Sequence, residues 1–375
     1  MIRDLLVACP SCGAPVTEGE RFCENCGAEL TSAPAPPVVP ADPVGAVSRP
    51  AVSVREGVAV APVDLGRPAV VCAACGGAVA PDGYCEQCGT PAVRPRDHWI
   101  DQPVPWVAAV CDRGVRHARN EDAVAVAAEP APGSFAVLVV CDGVSSAPDS
   151  DLASLAAARA ARDVLAGPDL TPAPQAADAD GAGRIADVVV GAGRAAHEAA
   201  SEIARRVAGQ GRGNPPSTTF VAGVLAAHRL VVGWVGDSRA YWLPDAGESR
   251  QLTTDDSWAA EAMALGVSRE EAENGPNAHA ITRWLGADAP DPRPHVVDTV
   301  LDGPGWVLLC SDGLWNYCSP AAELGGLVAR TASAYGDAHG GAPVPAGVLA
   351  TDLVAWAVAQ GGADNVSVAL ARLDS

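Results

Sequence analysis

Four Cys-x-x-Cys pairs in the first ninety residues constrain the fold of this chain more than any other feature. Each pair is followed directly by glycine, and the two pairs of a group are separated by ten residues in the first group and nine in the second. Two such pairs supply four thiolates, which suits a small ribbon closed by one tetrahedral Zn²⁺. The predicted ligands are Cys9, Cys12, Cys23 and Cys26 in the first group, and Cys72, Cys75, Cys85 and Cys88 in the second.

This repeat predicts two structural Zn²⁺ ions rather than redox chemistry. A lone Cys-x-x-Cys pair can be a redox-active dithiol, but that motif belongs to a βαβ setting and does not recur four times. Segments this short bury too little apolar surface to fold without a metal. We therefore expect one zinc ribbon over residues 1–30 and a second over residues 69–92.

The remainder of the chain divides into two linkers and one large domain. Residues 31–68 are rich in Ala, Pro and Val without helical or alternating periodicity, which predicts an extended, semi-rigid linker. Residues 90–105 hold four prolines, which predicts a second linker over residues 93–104. The large domain is then expected over residues 105–375.

Within that domain the pattern favours an α+β fold. Short β-branched or Leu-rich runs at residues 135–141, 230–235 and 306–310 predict buried strands. Ala-rich stretches at residues 151–165 and 185–208 predict helices. Residues 168–183 are expected to form a mobile surface insertion between these helices.

Charge and hydropathy exclude two classes of partner. The formal net charge is −20, and no basic run is present that could track a phosphate backbone, so nucleic-acid binding is not expected. No apolar stretch approaches the roughly 20 residues of a membrane-spanning helix. We expect a cytoplasmic protein that contacts no membrane, and a reducing compartment fits cysteines that bind metal.

Five short acidic motifs recur along the large domain, most of them beside a predicted strand. Because a single Asp-Gly is most often only a turn, the argument rests on their number and order. Several carboxylates gathered in one cleft would repel one another unless a hard cation neutralised them, and oxygen ligands favour Mg²⁺ or Mn²⁺ over Zn²⁺. The motifs are Asn120-Glu121-Asp122, Cys141-Asp142-Gly143, Gly236-Asp237-Ser238, Ser311-Asp312-Gly313 and Ala363-Asp364-Asn365.

These motifs belong to a longer collinear series between residues 112 and 368. The series reads Arg-x-x-x-Asn-Glu-Asp-Ala, Val-Val-Cys-Asp-Gly-Val, Ser-Thr-Thr-Phe-Val-Ala, Val-Gly-Asp-Ser-Arg-Ala-Tyr, Gln-Leu-Thr-Thr-Asp-Asp-Ser, Thr-Arg-Trp-Leu-Gly, Cys-Ser-Asp-Gly-Leu-Trp and Gly-Ala-Asp-Asn-Val-Ser. In this order it resembles the metal-dependent type 2C protein phosphatases, and the first quarter of the chain resembles bacterial double zinc ribbons. The resemblance implies a four-layer αββα sandwich, in which helices flank two antiparallel sheets.

The resemblance also implies a centre of two Mn²⁺ or Mg²⁺ ions that hydrolyses phosphoserine and phosphothreonine in proteins. Asp142 would bridge both metals beside the carbonyl of Gly143, and Asp312 and Asp364 would complete the catalytic set. Glu121 and Asp122 would support it through water, and Asp237 would help to hold a third, weaker metal. Positions matching Thr218, Thr219 and Arg239 are assigned to packing and strand pairing.

The chain departs from the family pattern at two places. Many relatives bind the substrate phosphate through an Arg where this chain has His117, so the phosphate ligand is open between Arg116, His117 and Arg119, with Arg116 preferred. The residues after Gly143 are Val144-Ser145-Ser146, where relatives carry a His or two glycines, so protonation of the leaving group falls to water at the metals or to His117.

These departures leave two functional hypotheses. The first is an active phosphatase that opposes a Ser/Thr kinase, and the second is a phosphopeptide-binding pseudophosphatase or signalling adaptor. The expected partners are phosphorylated proteins, with a protein partner for the ribbons. Five acidic residues between Gln251 and Arg283 predict either a solvated helix face or a flap that disfavours acidic peptides, namely Asp255, Asp256, Glu270, Glu271 and Glu273.

Overall fold

The computed structural model describes residues 6–8, 15–17, 54–61, 63, 65, 71–80, 83–170, 179–208, 213–275, 277–278 and 280–374. The chain forms two compact units, Met1–Ala51 and Val52–Ser375. In the first unit two short strands, β1 (Leu6–Ala8) and β2 (Pro15–Thr17), pair antiparallel. Cys9, Cys12, Cys23 and Cys26 lie outside the described residues, so the first zinc site stays a prediction.

The second unit is built on two large antiparallel sheets. Its strands are β3 (His98–Val104), β4 (Val107–Asp112), β5 (Ala123–Ala128), β6 (Phe135–Cys141), β7 (Ser217–Thr218), β8 (Phe220–Ala226), β9 (Arg229–Val235), β10 (Arg239–Pro244), β11 (Arg250–Gln251), β12 (Leu285–Gly286), β13 (His295–Val300), β14 (Gly305–Cys310) and β15 (Val366–Leu373). One sheet has the order β11-β10-β14-β15-β4-β3 and the other β13-β9-β8-β6-β5, and β12 pairs with β7.

Seven helices accompany the sheets in the described part of this unit. They are α1 (Ser150–Leu165), α2 (Ala179–Val207), α3 (Trp258–Ala264), α4 (Arg269–Glu273), α5 (Asp312–Trp315), α6 (Ala321–Ala338) and α7 (Ala346–Gln360). Helix α2 begins at Ala179, inside the segment expected to be a surface insertion, and Leu170 of that segment is fully buried in the core. Among the described residues, no helix has the length and apolar character needed to cross a membrane.

Successive side chains of a strand point to opposite faces of its sheet, which explains the four layers. Val124 and Val126 of β5 lie in the apolar cluster between the two sheets, while Ala123, Ala125 and Ala127 lie in the cluster that contains the buried residues of α1 and α2. On the far side, β14 and β15 pack against α6 and α7. Strands buried on both faces read as continuous apolar runs, which is why the sequence shows no polar alternation there. The structure thus confirms the expected αββα sandwich.

Two segments expected as linkers contact this sandwich. Residues 98–104 form β3, which pairs with β4, because Trp99 and Val104 of this segment are buried in the core between the sheets. In the segment over residues 31–68, Ala59 pairs with Ala128 at the edge of β5, and Val58 packs against the α1 side of the core. The described part of that linker is therefore docked on the sandwich by apolar burial and backbone hydrogen bonds.

Candidate metal centre

Strand ends bring the acidic motifs to one edge of the sandwich. In the five-stranded sheet, Ala123 pairs with Cys141, so Asp122 before β5 and Asp142 after β6 lie side by side. In the six-stranded sheet, Cys310 pairs with Val368, which places Asp312 close to the start of β15 and Asp364. The loop between β9 and β10 adds Asp237, which is 4% exposed.

Two glycines allow the backbones of these motifs to approach closely. A Cβ at Gly143 would lie 2.5 Å from the carbonyl oxygen of Glu121, and a Cβ at Gly313 would lie 1.9 Å from that of Asn365. Neither position can hold a side chain without moving a neighbouring backbone. The glycine in each Asp-Gly motif is therefore required for assembly of the centre and is more than a turn residue.

Hydroxyl groups from β7 and the residue after it hold the backbone of Asp142. The Thr218 hydroxyl donates a hydrogen bond to the Asp142 carbonyl over 2.8 Å, and the Asp142 amide donates to the Thr219 hydroxyl oxygen over 3.0 Å. The Thr219 hydroxyl also lies 2.7 Å from that of Ser238, in the Asp237 motif. Sequence analysis assigned both threonines to packing, and the structure adds a positioning role beside the centre.

Asn365 joins the first and last acidic motifs, a role that the sequence analysis missed. Its side-chain oxygen accepts a hydrogen bond from the Glu121 amide over 2.7 Å. Its side-chain amide donates to the carbonyls of Arg113 and Arg119 over 2.8 and 3.0 Å. The only sequence signal for this role was its place directly after Asp364, since its partners lie some 244 positions away in the chain.

Burial and mutual repulsion both disfavour ionised carboxylates here. Burial raises the pKa of Asp142 well above its ordinary range, and the charges of Asp122 and Asp312 raise it further. Burial likewise raises the pKa of Asp312, with Asp364 as the next contribution. Burial and the charge of Asp255 raise the pKa of Asp237 to about 7. These groups gain free energy from any cation that neutralises them.

Asp122 provides the sharpest test of whether the residues fit a metal. Burial raises its pKa to about 6, and it is 1% exposed. Neither carboxylate oxygen makes a hydrogen bond of normal geometry with a described residue, although the Ser311 and Ser367 hydroxyls lie near enough to offset part of the rise in pKa. A buried carboxylate without firm partners is costly, and the other acids of the motifs offer oxygen ligands, so the set fits Mg²⁺ or Mn²⁺ with intervening water. The structure thus brings together all the acidic residues predicted for the centre.

Of the three candidates for binding phosphate, two are engaged with the acids of the centre. His117 Nε2 lies 3.2 Å from Asp364 Oδ1, and an Arg119 nitrogen lies 2.6 Å from Glu121 Oε1. Arg116 is exposed, and its side chain makes no hydrogen bond or ion pair with a described residue. Its guanidinium is therefore the one of the three that is available to a ligand.

The turn after Gly143 does not need the glycines that relatives carry. Among the described non-glycine residues, positive φ occurs only at Asp149 and Ala227, so Val144, Ser145 and Ser146 adopt ordinary backbone angles. The Val144 amide donates to the Ser217 carbonyl over 3.0 Å. This turn is thus held on β7, beside the threonines that hold Asp142.

Three of the five acidic residues expected on a flap have partners inside the domain. Asp255 accepts a bidentate hydrogen bond from Arg239 at 3.0 and 2.7 Å, and that guanidinium stacks 3.6 Å from the centre of the Trp315 ring. Glu273 binds Arg239 and Arg269, and Asp256 lies 2.9 Å from His295. Asp255 and Glu273 pair with the buried Arg239, and Asp256 also lies 3.4 Å from the largely buried Arg283, so neither a solvated face nor an acidic flap describes these three.

The second cysteine group is drawn together in the arrangement that a zinc site requires. The four sulfur atoms of Cys72, Cys75, Cys85 and Cys88 all lie within 4.8 Å of one another. The Thr90 hydroxyl, 3.2 Å from the Cys88 sulfur, lowers the pKa of that thiol to about 6, which favours the thiolate that Zn²⁺ requires. Among the described residues no other group of three or more His, Cys, Asp or Glu side chains is drawn together this tightly.

Comparison with known proteins finds one matching family for the region of the acidic motifs and another for the cysteine pairs. The family described as Protein phosphatase 2C matches residues 113–354, well over half of the chain, and the family described as Double zinc ribbon matches residues 9–89. A serine/threonine phosphatase stp from Listeria innocua is 34% identical over 163 residues, which cover 42% of this chain and 57% of that protein. The match therefore spans little more than half of the relative.

Two solved structures share the fold. The Mycobacterium tuberculosis serine/threonine phosphatase PstP/Ppp is 27% identical with a TM-score of 0.53, covering 72% of this chain and 98% of that one. A catalytic domain of PstP in complex with two manganese ions is 27% identical with a TM-score of 0.50 over the same shares. With the family match and the assembled motifs, these likenesses place the chain in the protein phosphatase 2C family, with a double zinc ribbon ahead of the phosphatase-type region.

Proposed function

We propose that this protein is a metal-dependent phosphatase that hydrolyses phosphoserine and phosphothreonine in proteins and so opposes a Ser/Thr kinase pathway. The observation that carries the proposal is the assembly of the motif acids at one edge of the sandwich, where neither oxygen of Asp122 makes a hydrogen bond of normal geometry with a described residue. The names of the relatives, which are serine/threonine phosphatases, support it.

We assign the cation ligands to the acidic residues that were predicted from the sequence. Asp142, Asp312 and Asp364 would hold two Mn²⁺ or Mg²⁺ ions with the Gly143 carbonyl, while Glu121 and Asp122 would act through water and Asp237 would bind a third ion. When bound, the two cations would supply the Lewis acidity that activates water and offsets charge on the phosphate. The two manganese ions reported for the PstP catalytic domain support this set.

The chain's own side chains then have distinct tasks. Arg116 would bind the phosphate oxygens, because its guanidinium is exposed while Arg119 is paired with Glu121. His117 Nε2, held 3.2 Å from Asp364, would carry the proton for the departing serine or threonine oxygen. Thr218 and Thr219 would keep Asp142 in place through its backbone.

For the organisation of the chain we propose zinc ribbons at residues 1–30 and 69–92 and a phosphatase domain over 105–375 that is extended by β3. The second ribbon has two large side chains that are more than half exposed, Val71 and Tyr84, and Val93 directly after it is equally exposed. Exposed apolar groups on an acidic chain favour contact with a protein rather than with nucleic acid. We therefore propose that the ribbons dock a protein partner.

Phosphate release by the full chain from a phosphothreonine peptide tests the function. We expect release that depends on Mn²⁺ and that is abolished by Asp142→Asn combined with Asp312→Asn. Glu248→Gln, the same change of carboxyl to amide at an exposed position, should leave the rate unchanged. Absence of release by the folded wild type, together with tight binding of the phosphopeptide, would instead identify a pseudophosphatase.

A further inference from the structure

Two arginines flanking the second zinc ribbon contact opposite ends of strand β5. Arg55, ahead of the ribbon, pairs with Glu129 just beyond the end of β5 and donates to the Leu170 carbonyl over 2.8 Å. Arg96, behind the ribbon, contacts the backbone immediately before β5 begins. Since β5 follows directly on Glu121 and Asp122, only the second arginine lies on the side of the acidic centre.

The Arg96 guanidinium fastens the Asn120-Glu121-Asp122 backbone to helix α1. It donates to the carbonyls of Asn120 over 3.0 Å and Asp122 over 2.9 Å, and also to the carbonyl of Asp151 and the hydroxyl of Ser154 in α1. The Asn120 side-chain amide donates back to the Arg96 carbonyl over 3.0 Å. The Ser154 hydroxyl donates to the carbonyl of Glu121. All three carbonyls of the motif are thus held by Arg96 or by a residue that it contacts.

This arrangement matters because the Asp122 carboxylate makes no hydrogen bond of normal geometry with a described residue, and only the Ser311 and Ser367 hydroxyls lie near it. Its direction therefore depends mainly on the backbone that carries it. A guanidinium presents donors in a fixed planar fork, so it can fix several carbonyls at once. A lysine has a single nitrogen and cannot reach the same set.

We propose that Arg96 is a positioning residue for the divalent cations of the acidic centre. This inference rests on the proposed function, since it concerns the cations that Glu121 and Asp122 would help to hold. The Arg96 side chain bonds the backbone of the motif rather than its carboxylates, so it would act by orienting the acidic motif. Outer residues of this kind commonly change metal affinity by about 10- to 100-fold when replaced.

The test compares Arg96→Met with Arg55→Met in the full chain. Both arginines contact residues that flank β5, and Arg55 is the matched control because its side chain is 4% exposed and ion-paired just beyond the far end of the strand. Calorimetric titration with MnCl₂ should show affinity weakened about tenfold or more in Arg96→Met. Arg55→Met should lower the melting temperature while its Mn²⁺ affinity stays within about twofold of wild type.

Each result of this comparison either supports or overturns the positioning role of Arg96. Equal Mn²⁺ affinity in Arg96→Met and wild type, or an equal loss in both arginine variants, overturns the positioning role. Where Arg96→Met does not fold, Arg96→Lys replaces it, and it should bind Mn²⁺ more weakly than wild type at nearly unchanged melting temperature. Failure of the wild type itself to bind Mn²⁺ would count against the proposed function and not against Arg96 alone.

Discussion

The amide nitrogen of Asp142 lies 3.0 Å from the hydroxyl oxygen of Thr219, and the Thr219 amide lies 2.8 Å from the Asp142 carbonyl oxygen. These reciprocal bonds tie the acid at the end of β6 to the start of β8. The second bond is ordinary strand pairing, but the first depends on the threonine side chain. The hydroxyl therefore has a task that another β-branched residue of similar shape could not perform.

Thr219→Val should weaken both stability and cation binding. The variant leaves the buried Asp142 amide without its acceptor, which costs about 1–3 kcal/mol, and it loosens the acid expected to bridge the cations. We expect a lower melting temperature and Mn²⁺ affinity reduced several-fold or more by calorimetry. Thr331→Val, which loses a hydroxyl bonded to the Leu327 carbonyl in α6, should leave Mn²⁺ affinity unchanged. Unaltered affinity in Thr219→Val would contradict the role assigned to this hydroxyl.

Sequence reasoning located the acidic centre because its residues come in short local motifs. Each Asp-Gly pair sits beside an apolar run, and the series predicted which acids meet. The four-layer fold was likewise predicted, through resemblance. Residues that support the centre escaped because their partners are distant in the chain: Asn365 reaches back to Glu121, and nothing in its neighbourhood marks that contact.

The two segments predicted as linkers show a second limit on what sequence alone can predict. Ala-, Pro- and Val-rich stretches have no periodicity, so composition predicts extended chain and nothing about docking. Arg55 and Arg96 resemble solvated surface residues in the sequence, yet both are hydrogen-bonded to carbonyls of the sandwich. Only the three-dimensional arrangement shows that these carbonyls need donors.

The number of Zn²⁺ ions bound per chain should show the contribution of each cysteine group. We expect two Zn²⁺ per wild-type chain by mass spectrometry, and one in a variant carrying Cys72→Ser with Cys85→Ser, because the four sulfurs of that group form a single site. Cys9→Ser with Cys23→Ser should also leave one. Cys318→Ser, at an isolated buried cysteine, should retain both. A double serine variant of either group that keeps two Zn²⁺ would show that its group is not a ligand set.

Truncation should reveal how far the phosphatase unit extends. A fragment of residues 52–375 keeps Arg55, Arg96 and all of β3, whereas residues 100–375 lose both arginines and the buried Trp99. Removing a buried tryptophan alone costs about 3–5 kcal/mol, so the shorter fragment should melt roughly 10 °C or more below the longer one. Scanning calorimetry decides the matter, and equal melting temperatures would show that residues 52–99 are dispensable for the fold.

Asp101 of β3 should make stability depend on pH. It is 2% exposed, one carboxylate oxygen accepts from the Val126 amide over 3.2 Å, and the other has no partner among the described residues. Burial raises its pKa from 3.8 to about 6. Between these values the folded state binds more protons than the unfolded state, so this contribution to stability falls as pH rises through the window and stays lost above about 6.

Asp101→Asn removes that titration and keeps an oxygen for the Val126 amide. The free energy of unfolding of the variant, relative to wild type, should therefore rise by on the order of 2 kcal/mol between pH 4.5 and pH 7.5, since each unit of pKa difference is worth about 1.4 kcal/mol. Urea unfolding at the two pH values measures this difference, and Glu248→Gln supplies the exposed control, for which no such trend is expected. A relative stability that does not change with pH would show that Asp101 titrates alike in the folded and unfolded chain, and that the β3 carboxylate is solvated more fully than its burial implies.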